Sequence, residues 1–478
     1  MSTVIPHWLD KQADLSPNEI AVELKDGTTV TFSQLAENSR IKARKLASAD
    51  IKKGDHIAIL SGNSIEMMEM IYACSYLGAV VVLLNKRLTA YERKQQMKDA
   101  KVTLLITETE EAGLTEIGQL TFDQLNRLEA SWKVQLLEEI ELSTVFTMMY
   151  TSGTSGFPKA VQHTYENHWW SATSSGLNFG KHNDDKWLIP LPLFHVSGLS
   201  TMLKGIIYGM PIYLLEKFEV EDVHDAIMHK QVTMTSVVTV MLQRLVSYLG
   251  EASYPEAFRC MLLGGGPAPE TLLQQTKAKK IPVFQSYGMT ETASQIVTLN
   301  PRDALRKVGS AGKPLFPAQL KIAGKQANEV GEILVKGPMI TPGYYNRQAA
   351  NETSFLNGWL ATGDVGYLDD EGFLYVVDRR SDLIISGGEN IYPSEIENVL
   401  LQIDGVQETG VIGKKDTEWG EIPVAFIVAD REMTIAEITA FLKDKLARYK
   451  QPKEFYFIDQ LPRNAANKLV RQELKKYL

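Results

Sequence analysis

The sequence predicts an α/β protein with α+β elements: a large N-terminal domain of parallel sheets in αβα layers, a small barrel-like subdomain, and a small α+β C-terminal domain. Two observations support this prediction. Up to about residue 284, short runs rich in Val, Ile and Leu alternate with stretches of helical period, which indicates successive βαβ units. From about residue 331, short alternating strands are separated by Gly, Asp and Asn turns, which favours an antiparallel or barrel-like unit.

The composition is that of a globular chain. The 478 residues are 44% hydrophobic and 23% charged, which excludes disorder as a description of the whole chain. The net charge of −8 argues against nucleic acid as a partner. Cys74 and Cys260 are too few for a disulfide framework or a metal cluster, which favours a reduced, cytoplasmic setting. The longest uncharged run, 70–84, falls short of the roughly 20 residues of a membrane span, and no secretory leader is expected.

The first elements follow from local signals. Asp26 and Gly27 lie between two β-type runs and predict a hairpin turn. Thr31 and Gln34 form a capping box before the amphipathic stretch 35–46, which predicts a helix there.

The next elements alternate between strand and helix. Ser64 is a helix cap and Gly78 a helix end, between apolar strands at 57–60 and 79–84. Further strands are predicted at 102–106, 187–191, 211–215, 233–237 and 259–263.

The C-terminal part begins with three short strands, predicted at 332–336, 359–362 and 373–377. A helix with Pro393 in its first turn follows a Gly-Gly loop. We therefore predict a large domain over 1–378, with its barrel-like part at about 310–378, a hinge at 379–381 and a small domain over 382–478.

A Gly-, Ser- and Thr-rich loop carries the clearest chemical signal. A buried strand at 145–150 leads into six such residues and then Lys159. Backbone N–H groups can close around phosphate oxygens where side chains are small, hydroxyls add donors, and the lysine adds a mobile positive charge. The spacing differs from that of the usual nucleotide-binding P-loop, and a plain polar connection is the alternative. The predicted phosphate-binding residues are Thr151, Ser152, Gly153, Thr154, Ser155, Gly156 and Lys159.

This segment, Thr-Ser-Gly-Thr-Ser-Gly-Phe-Pro-Lys, resembles the phosphate loop of the adenylate-forming superfamily, which holds acyl-CoA synthetases, peptide-synthetase adenylation domains and luciferases. Ser155 keeps the hydroxyl of the usual Thr. Phe157 stands where a Lys is frequent, and Ala160 replaces a Gly. The resemblance covers residues 8 to 478 and implies ATP and Mg²⁺ as cofactors.

The resemblance assigns further nucleotide-binding residues. An aromatic residue of the Gln-Ser-Tyr-Gly-Met-Thr-Glu motif packs on adenine, Thr290 contacts the α-phosphate, and Glu291 helps to hold Mg²⁺, for which a carboxylate is a suitable ligand. Asp364 and Arg379 match the contacts to ribose. The adenine side comprises Gly264, Gly265, Gly266, Gln285, Ser286, Tyr287 and Gly288.

In such enzymes a mobile C-terminal domain serves two half-reactions. Lys468, in the segment Pro-Arg-Asn-Ala-Ala-Asn-Lys, matches the lysine that bridges the carboxylate and the α-phosphate during adenylation. The alternative, for a lysine in a basic tail considered without this motif, is a solvated surface residue. Ser381 matches the pivot of the hinge. Gly387, Gly388 and Trp419 match the region approached by the CoA thiol.

The acid is predicted by a closer resemblance. His195 stands where amino-acid-activating domains carry an Asp, which argues against an amino acid. His195 is also a predicted catalytic residue that lines the approach of the carboxylate and the thiol, with a purely structural hydrogen-bonding role as the alternative. His195, Ser197 and Thr292 are candidate acyl contacts. Segments 191–199, 262–269 and 284–299 resemble the bacterial o-succinylbenzoate–CoA ligases of menaquinone synthesis. An aromatic dicarboxylic acid, ATP and CoA are thus the expected substrates, and a homo-oligomer is possible. The alternatives are a CoA ligase for another aryl or medium-chain acid and a carrier-loading adenylating protein.

Overall fold

The computed structural model describes most of the chain. The described residues are 3–88, 90–111, 117–151, 158–265, 268–379, 382, 384–386, 389–391, 393–417, 419–443, 445–446, 448–464 and 467–478.

The first part of the chain alternates between strand and helix. Its elements are β1 (Val4–Pro6), α1 (Trp8–Leu15), β2 (Ile20–Leu24), β3 (Thr29–Thr31), α2 (Phe32–Ser48), β4 (His56–Leu60), α3 (Ile65–Leu77), β5 (Val80–Leu83), α4 (Ala90–Asp99), β6 (Leu104–Thr107), β7 (Gly118–Thr121), α5 (Phe122–Arg127), β8 (Glu139–Glu141), β9 (Val145–Thr151) and β10 (Lys159–Thr164).

The alternation continues through the middle of the chain. Its elements are α6 (Tyr165–Phe179), β11 (Trp187–Ile189), α7 (Val196–Tyr208), β12 (Ile212–Leu214), α8 (Val220–His229), β13 (Met234–Val238), α9 (Thr239–Leu249), β14 (Cys260–Gly264), α10 (Glu270–Ala278), β15 (Val283–Met289), β16 (Ser294–Leu299) and β17 (Lys313–Pro314), with a short 3₁₀ turn at Thr290–Thr292.

The last part of the chain is richer in antiparallel strands. Its elements are β18 (Gln319–Ile322), β19 (Gly331–Lys336), α11 (Gln348–Ser354), β20 (Phe355–Leu356), β21 (Trp359–Leu368), β22 (Leu374–Arg379), β23 (Ile384–Ser386), β24 (Glu389–Ile391), α12 (Pro393–Leu400), β25 (Val406–Asp416), β26 (Gly420–Ala429), α13 (Ile435–Lys443), β27 (Glu454–Phe457) and α14 (Arg471–Leu474).

Local signals in the sequence produce the elements that they predict. The turn at Asp26 and Gly27 joins β2 to β3, which pair antiparallel. The hydroxyl of Thr31 accepts a hydrogen bond from the Gln34 amide, and the Gln34 side chain accepts one from the Thr31 amide, so the capping box of α2 is complete. Gly78 ends α3 with a φ of 68°, a left-handed conformation that glycine adopts without steric cost.

Two large sheets form the framework. One has the strand order β10-β9-β5-β4-β6-β7, and its strands are parallel except for the antiparallel β9–β10 hairpin. The other has the order β17-β16-β15-β14-β13-β11-β12-β2-β3, with parallel strands from β15 to β2. The carboxyl ends of parallel strands meet at one edge, where ligands bind in open α/β sheets.

Helices cover the larger sheet on both faces. One hydrophobic cluster joins helices α2, α3 and α7 to strands of both sheets, including Leu35, Tyr72, Val81, Leu203 and Ile212. A second cluster packs α8, α9 and α10 against the larger sheet. The result is the layered α/β arrangement that the alternation of elements predicts.

The chain divides into two compact units, one of residues 1–320 and 335–360, the other of residues 321–334 and 361–478. In the second unit, α12 and α13 pack on a sheet of order β24-β23-β26-β25, to which β27 adds in parallel beside β26. The domain limits at 378 and 382 and the hinge at 379–381 stay predictions, and residues 380 and 381 lie outside the described residues. Each described helix is too short or too polar to cross a bilayer.

Candidate active site

The phosphate-loop segment is the connection of a β-hairpin. Thr151, at the end of β9, lies opposite Lys159, at the start of β10. The predicted loop residues Ser152, Gly153, Thr154, Ser155 and Gly156 lie outside the described residues. The hairpin nevertheless fixes both ends of the loop, because the antiparallel pairing holds Thr151 and Lys159 side by side.

Lys159 and Glu291, which the sequence predicts for the same site, both contact one tyrosine, Tyr344. The Nζ of Lys159 lies 4.8 Å from the centre of the Tyr344 ring. The hydroxyl of Tyr344 donates a hydrogen bond of 2.9 Å to Oε1 of Glu291. Burial and the neighbouring carboxylate raise the pKa of the Tyr344 hydroxyl, so it stays a donor. The predicted phosphate-binding ammonium and the predicted metal-binding carboxylate thus share Tyr344 as a contact.

The Glu291 carboxylate fits Mg²⁺ bound together with a nucleotide. Among the described residues, no group of three or more His, Cys, Asp and Glu side chains could hold a metal ion. Mg²⁺ is commonly bound by one or two carboxylates while phosphates and water complete its coordination. A single buried carboxylate beside a predicted phosphate loop matches that requirement.

The Thr290–Thr292 turn is held from several sides. Nε2 of His163, on β10, hydrogen-bonds the carbonyl of Thr290 at 2.7 Å. Burial lowers the pKa of His163 to about 4, so the ring is neutral at pH 7 and its Nε2–H is the donor. The amide of Thr341 donates to the carbonyl of Glu291. The hydroxyl of Thr292 is fully buried and donates within the turn, to the Ser294 carbonyl at 2.6 Å; its contact with the acid stays a prediction.

The predicted adenine side lies at the carboxyl ends of neighbouring strands. Gly264 ends β14 and Gly265 follows with a φ of 84°, while Gly266 lies outside the described residues. The hydroxyl of Ser286, on β15, donates to the Leu263 carbonyl at 2.9 Å. Of the other predicted residues on β15, Gln285 is buried and Tyr287 is half-buried.

Gly288 is required by a close approach of two backbones. A Cβ atom there would lie 2.2 Å from the carbonyl oxygen of Ser294 on the neighbouring strand. Any larger residue would push β15 away from β16 and displace the turn that carries Thr290 and Glu291.

His195 and Ser197 begin α7. His195 occupies the N-cap position without a side-chain cap, and Ser197 is half-buried in the first turn. The preceding loop is fixed by Asn63, whose side chain donates to the carbonyl of Leu191 and accepts from the amide of Leu193. No local pattern in the sequence marks Asn63, because its partners are 128 and 130 residues away.

Lys204, also on α7, is a functional candidate that is not among the residues predicted from the sequence. It is 1% exposed, and its Nζ hydrogen-bonds Ser294 Oγ and Gln295 Oε1, each at 3.2 Å. No described carboxylate lies within ion-pair distance, and burial lowers the pKa of Lys204 to about 7. The sequence signal was present: one lysine interrupts the otherwise uncharged helix Val196–Tyr208. Ser197, Ser200 and Lys204 recur at three- and four-residue spacing, so they share one helix face.

The predicted ribose-binding residues are neighbours in the second unit. Asp364, on β21, lies opposite Arg379, on β22. Asp364 is buried, and its amide donates to the Thr362 hydroxyl at 3.1 Å. The side chain of Arg379 lies outside the described part of the structure.

Lys468 lies in a tight turn of the second unit. Its amide donates to Asn464 Oδ1 at 3.0 Å, and the Asn464 amide donates to the Lys468 carbonyl at 2.9 Å. Lys468 is exposed, and Trp419 is 48% exposed. Ser381, Gly387 and Gly388 lie outside the described residues. The roles predicted for all these residues stay predictions.

Comparison with known proteins gives consistent matches along the chain. The family model of the AMP-binding enzyme matches residues 9–345, and that of the AMP-binding enzyme C-terminal domain matches residues 395–468. The 2-succinylbenzoate–CoA ligase of Oceanobacillus iheyensis is 62% identical over 480 residues, covering 100% of both chains.

Solved structures agree in fold. The o-succinylbenzoate CoA synthetase (MenE) from Bacillus subtilis, in complex with the acyl-adenylate intermediate OSB-AMP, gives a TM-score of 0.96 at 48% identity and covers 99% of this chain and 98% of that one. The same enzyme in complex with ATP and magnesium ion gives 0.95 at 48% identity, covering 99% and 100%. These matches confirm the predicted α/β class with a large N-terminal and a small C-terminal domain. With its ordered motifs and its full-length matches, this chain belongs to the family of AMP-binding enzymes.

Proposed function

We propose that this chain is an AMP-forming acid–thiol ligase that joins 2-succinylbenzoate to CoA at the expense of ATP, in menaquinone biosynthesis. The full-length identity with a 2-succinylbenzoate–CoA ligase carries the proposal. The contacts of Lys159 and Glu291 with the same tyrosine support it, since an ammonium suits phosphates and a carboxylate suits a divalent cation.

The reaction has two steps. In the first, a carboxylate oxygen of the acid attacks the α-phosphorus of ATP, an acyl-adenylate forms and pyrophosphate leaves. In the second, the thiol of CoA attacks the acyl carbonyl and gives up its proton to solvent, the thioester forms, and AMP leaves with the electron pair of the broken C–O bond.

The residues of this chain have distinct roles in the first step. Lys159 would bind the phosphates that become pyrophosphate, and Glu291 would hold Mg²⁺. Bound Mg²⁺ neutralises negative charge on the phosphate oxygens. Asp364 would accept hydrogen bonds from the ribose hydroxyls. Lys468 would neutralise the charge that grows between the carboxylate and the α-phosphate.

Lys204 would select a dicarboxylic acid. Its buried ammonium has only neutral hydrogen-bond partners among the described side chains, and it shares a helix face with Ser197. We propose that it pairs with the ring carboxylate of 2-succinylbenzoate and leaves the succinyl carboxylate free for adenylation. An anion compensates the desolvation of a buried ammonium better than a hydroxyl or an amide does.

The second step would use another part of the chain. We propose that the C-terminal domain turns about Ser381 after adenylation, so that the loop of Gly387 and Gly388 and the exposed Trp419 face the incoming thiol. Such gating separates the departure of pyrophosphate from the entry of CoA. Because both free cysteines are buried and the substrates include ATP and CoA, we propose a cytoplasmic location.

The test is pyrophosphate release from ATP and Mg²⁺ with 2-succinylbenzoate, with and without CoA, while the thioester is followed in parallel. The proposal expects pyrophosphate release and a thioester that requires CoA. Turnover only with other aryl or medium-chain acids would mean that one of those acids, and not 2-succinylbenzoate, is the substrate. AMP formation that CoA does not accelerate would favour a carrier-loading adenylating protein.

A further inference from the structure

Tyr344 occupies a position for which the proposed reaction gives no role. Its ring lies 4.8 Å from Lys159 Nζ, and its hydroxyl donates a 2.9 Å hydrogen bond to Glu291 Oε1. One side chain therefore contacts both the phosphate-binding cation and the metal-binding anion. The tyrosine is itself buried, at 7% exposure.

The backbone around Tyr344 is fixed independently of those two contacts. Its amide donates to Asn351 Oδ1 at 2.8 Å, and Asn351 Nδ2 donates to its carbonyl at 2.9 Å. Tyr344 also forms a β-bridge with Val161, on the strand that begins with Lys159. The backbone that carries the ring is thus held beside β10 by contacts that a change of side chain leaves in place.

Lys159 and Glu291 would attract each other without the ring. Opposite charges attract more strongly where water is partly excluded, because the effective dielectric constant is then lower than that of bulk water. The lysine stem is long and flexible, and among the described residues no carboxylate lies within ion-pair distance of its Nζ. An ion pair between the two would occupy the carboxylate needed by Mg²⁺ and draw the ammonium away from the phosphates.

We propose that Tyr344 is a positioning residue that keeps Lys159 and Glu291 apart, its ring face binding the ammonium and its hydroxyl orienting the carboxylate for Mg²⁺. A cation over an aromatic face is attracted without transferring a proton or neutralising a carboxylate. The inference rests on the proposed function in one respect only, that this site binds ATP with Mg²⁺.

Two variants separate the two contacts. Tyr344→Phe keeps the ring and removes the hydroxyl, while Tyr344→Leu removes both. ATP binding is measured by calorimetry across a series of Mg²⁺ concentrations, without acid or CoA. Since a hydrogen bond to a charged group contributes about 1.5–3 kcal/mol, Tyr344→Phe raises the half-saturating Mg²⁺ concentration about tenfold. Tyr344→Leu raises it about a hundredfold, because the ammonium then competes for Glu291.

The matched control is Tyr345→Phe. Tyr345 is the next residue, and its ring packs edge-on against His56 at 5.2 Å between ring centres. The half-saturating Mg²⁺ concentration of Tyr345→Phe is expected to equal that of the unmodified protein. Thermal unfolding of every variant, without ligand, identifies any that fails to fold.

A second comparison tests whether the Lys159 ammonium causes the larger effect of Tyr344→Leu. With Lys159→Gln as background, adding Tyr344→Leu should no longer raise the Mg²⁺ requirement beyond the hydroxyl effect seen in Tyr344→Phe, because no ammonium competes. If Tyr344→Leu is folded and needs no more Mg²⁺ than the parent, or if the full increase persists in the Lys159→Gln background, the proposal is wrong. Failure of the parent to use 2-succinylbenzoate would overturn the proposed substrate alone, since these titrations contain no acid.

Discussion

At the scale of the residue, burial of Lys204 lowers the stability of the free protein, and the same lysine is proposed to select the acid. A buried ammonium without an anion is expensive, and burial lowers its pKa from 10.5 to about 7. Between pH 10.5 and about 7 the unfolded chain takes up a proton that the folded protein does not. The free protein therefore loses stability as the pH falls through this range, by up to about 5 kcal/mol, and no further below it.

We expect Lys204→Met to stabilise the free protein at pH 7. The gain in the free energy of unfolding should be small near pH 10, grow as the pH falls, and level off below about pH 7. Denaturant unfolding at pH 9.5 and pH 7 measures it. Lys277→Met, which changes an exposed lysine on α10, is the control. It should change the free energy of unfolding by the same amount at both pH values.

The same variant should bind the dicarboxylic acid 2-succinylbenzoate much more weakly. Breaking a buried ion pair commonly costs about 3–5 kcal/mol, so Lys204→Met should raise KM for 2-succinylbenzoate at least about a hundredfold. The KM for 4-oxo-4-phenylbutanoate, which lacks the ring carboxylate, should change little. Equal losses with both acids would contradict the role of Lys204 in selecting the acid.

At the scale of elements, the β9–β10 hairpin connects two motifs that the sequence places about 130 residues apart. His163, on β10, holds the carbonyl of Thr290 at 2.7 Å. On the other side of the His163 ring, the hydroxyl oxygen of Thr147, on β9, lies 3.4 Å from His163 Nδ1 and 2.9 Å from His168 Nε2. The strands that hold the phosphate loop thus also hold the turn of Thr290 and Glu291.

We expect His163→Leu to disturb that turn. It leaves the buried Thr290 carbonyl without its donor, a loss of about 1–3 kcal/mol of stability. The rate constant of adenylation should fall about tenfold, since Thr290 shifts, while KM for CoA stays unchanged. His163→Asn, which offers an N–H, should recover part of the rate. Gln162→Leu, one residue away on the same strand, is the control; an equal effect there would argue against positioning by His163.

At the scale of the whole molecule, different residues are predicted to serve the two half-reactions, and those predicted for the first come from both units of the chain. Glu291 and Lys159 belong to the first unit, and Asp364 and Lys468 to the second. A defect in one step alone is therefore informative, because loss of folding would impair both steps.

We expect Lys468→Ala to slow adenylation by about 3–4 kcal/mol in its barrier, a factor of several hundred, because a charge-stabilising donor is lost from the transition state. Thioester formation from supplied acyl-adenylate should largely survive. Single-turnover measurements of both steps test this. The assignment of Lys468 to adenylation fails if both steps slow equally.

Gly388→Val should have the opposite effect. Crowding the approach of the thiol should slow thioester formation about a hundredfold, as small misplacements of reacting groups do, and leave pyrophosphate release from the acid and ATP near the parent rate. The same single-turnover pair measures it. A normal second step in this variant would contradict the predicted position of Gly388 beside the thiol.

The sequence by itself determined the α/β class, the capping box of α2 and the glycine end of α3, because these depend on hydrophobic period and on contacts within a few residues. It also determined the family, since the motifs around Lys159, Glu291 and Lys468 are contiguous and ordered.

Only the tertiary structure decided what surrounds those motifs. Tyr344 meets Glu291 across 53 residues, His163 meets Thr290 across 127, and Lys204 meets Gln295 across 91. Such partners have no local signature, because strand order and helix packing bring them together and no short-range pattern encodes either. Burial likewise decided that the Lys204 amino group is desolvated and that its pKa is lowered to about 7, which a lysine in a sequence does not reveal.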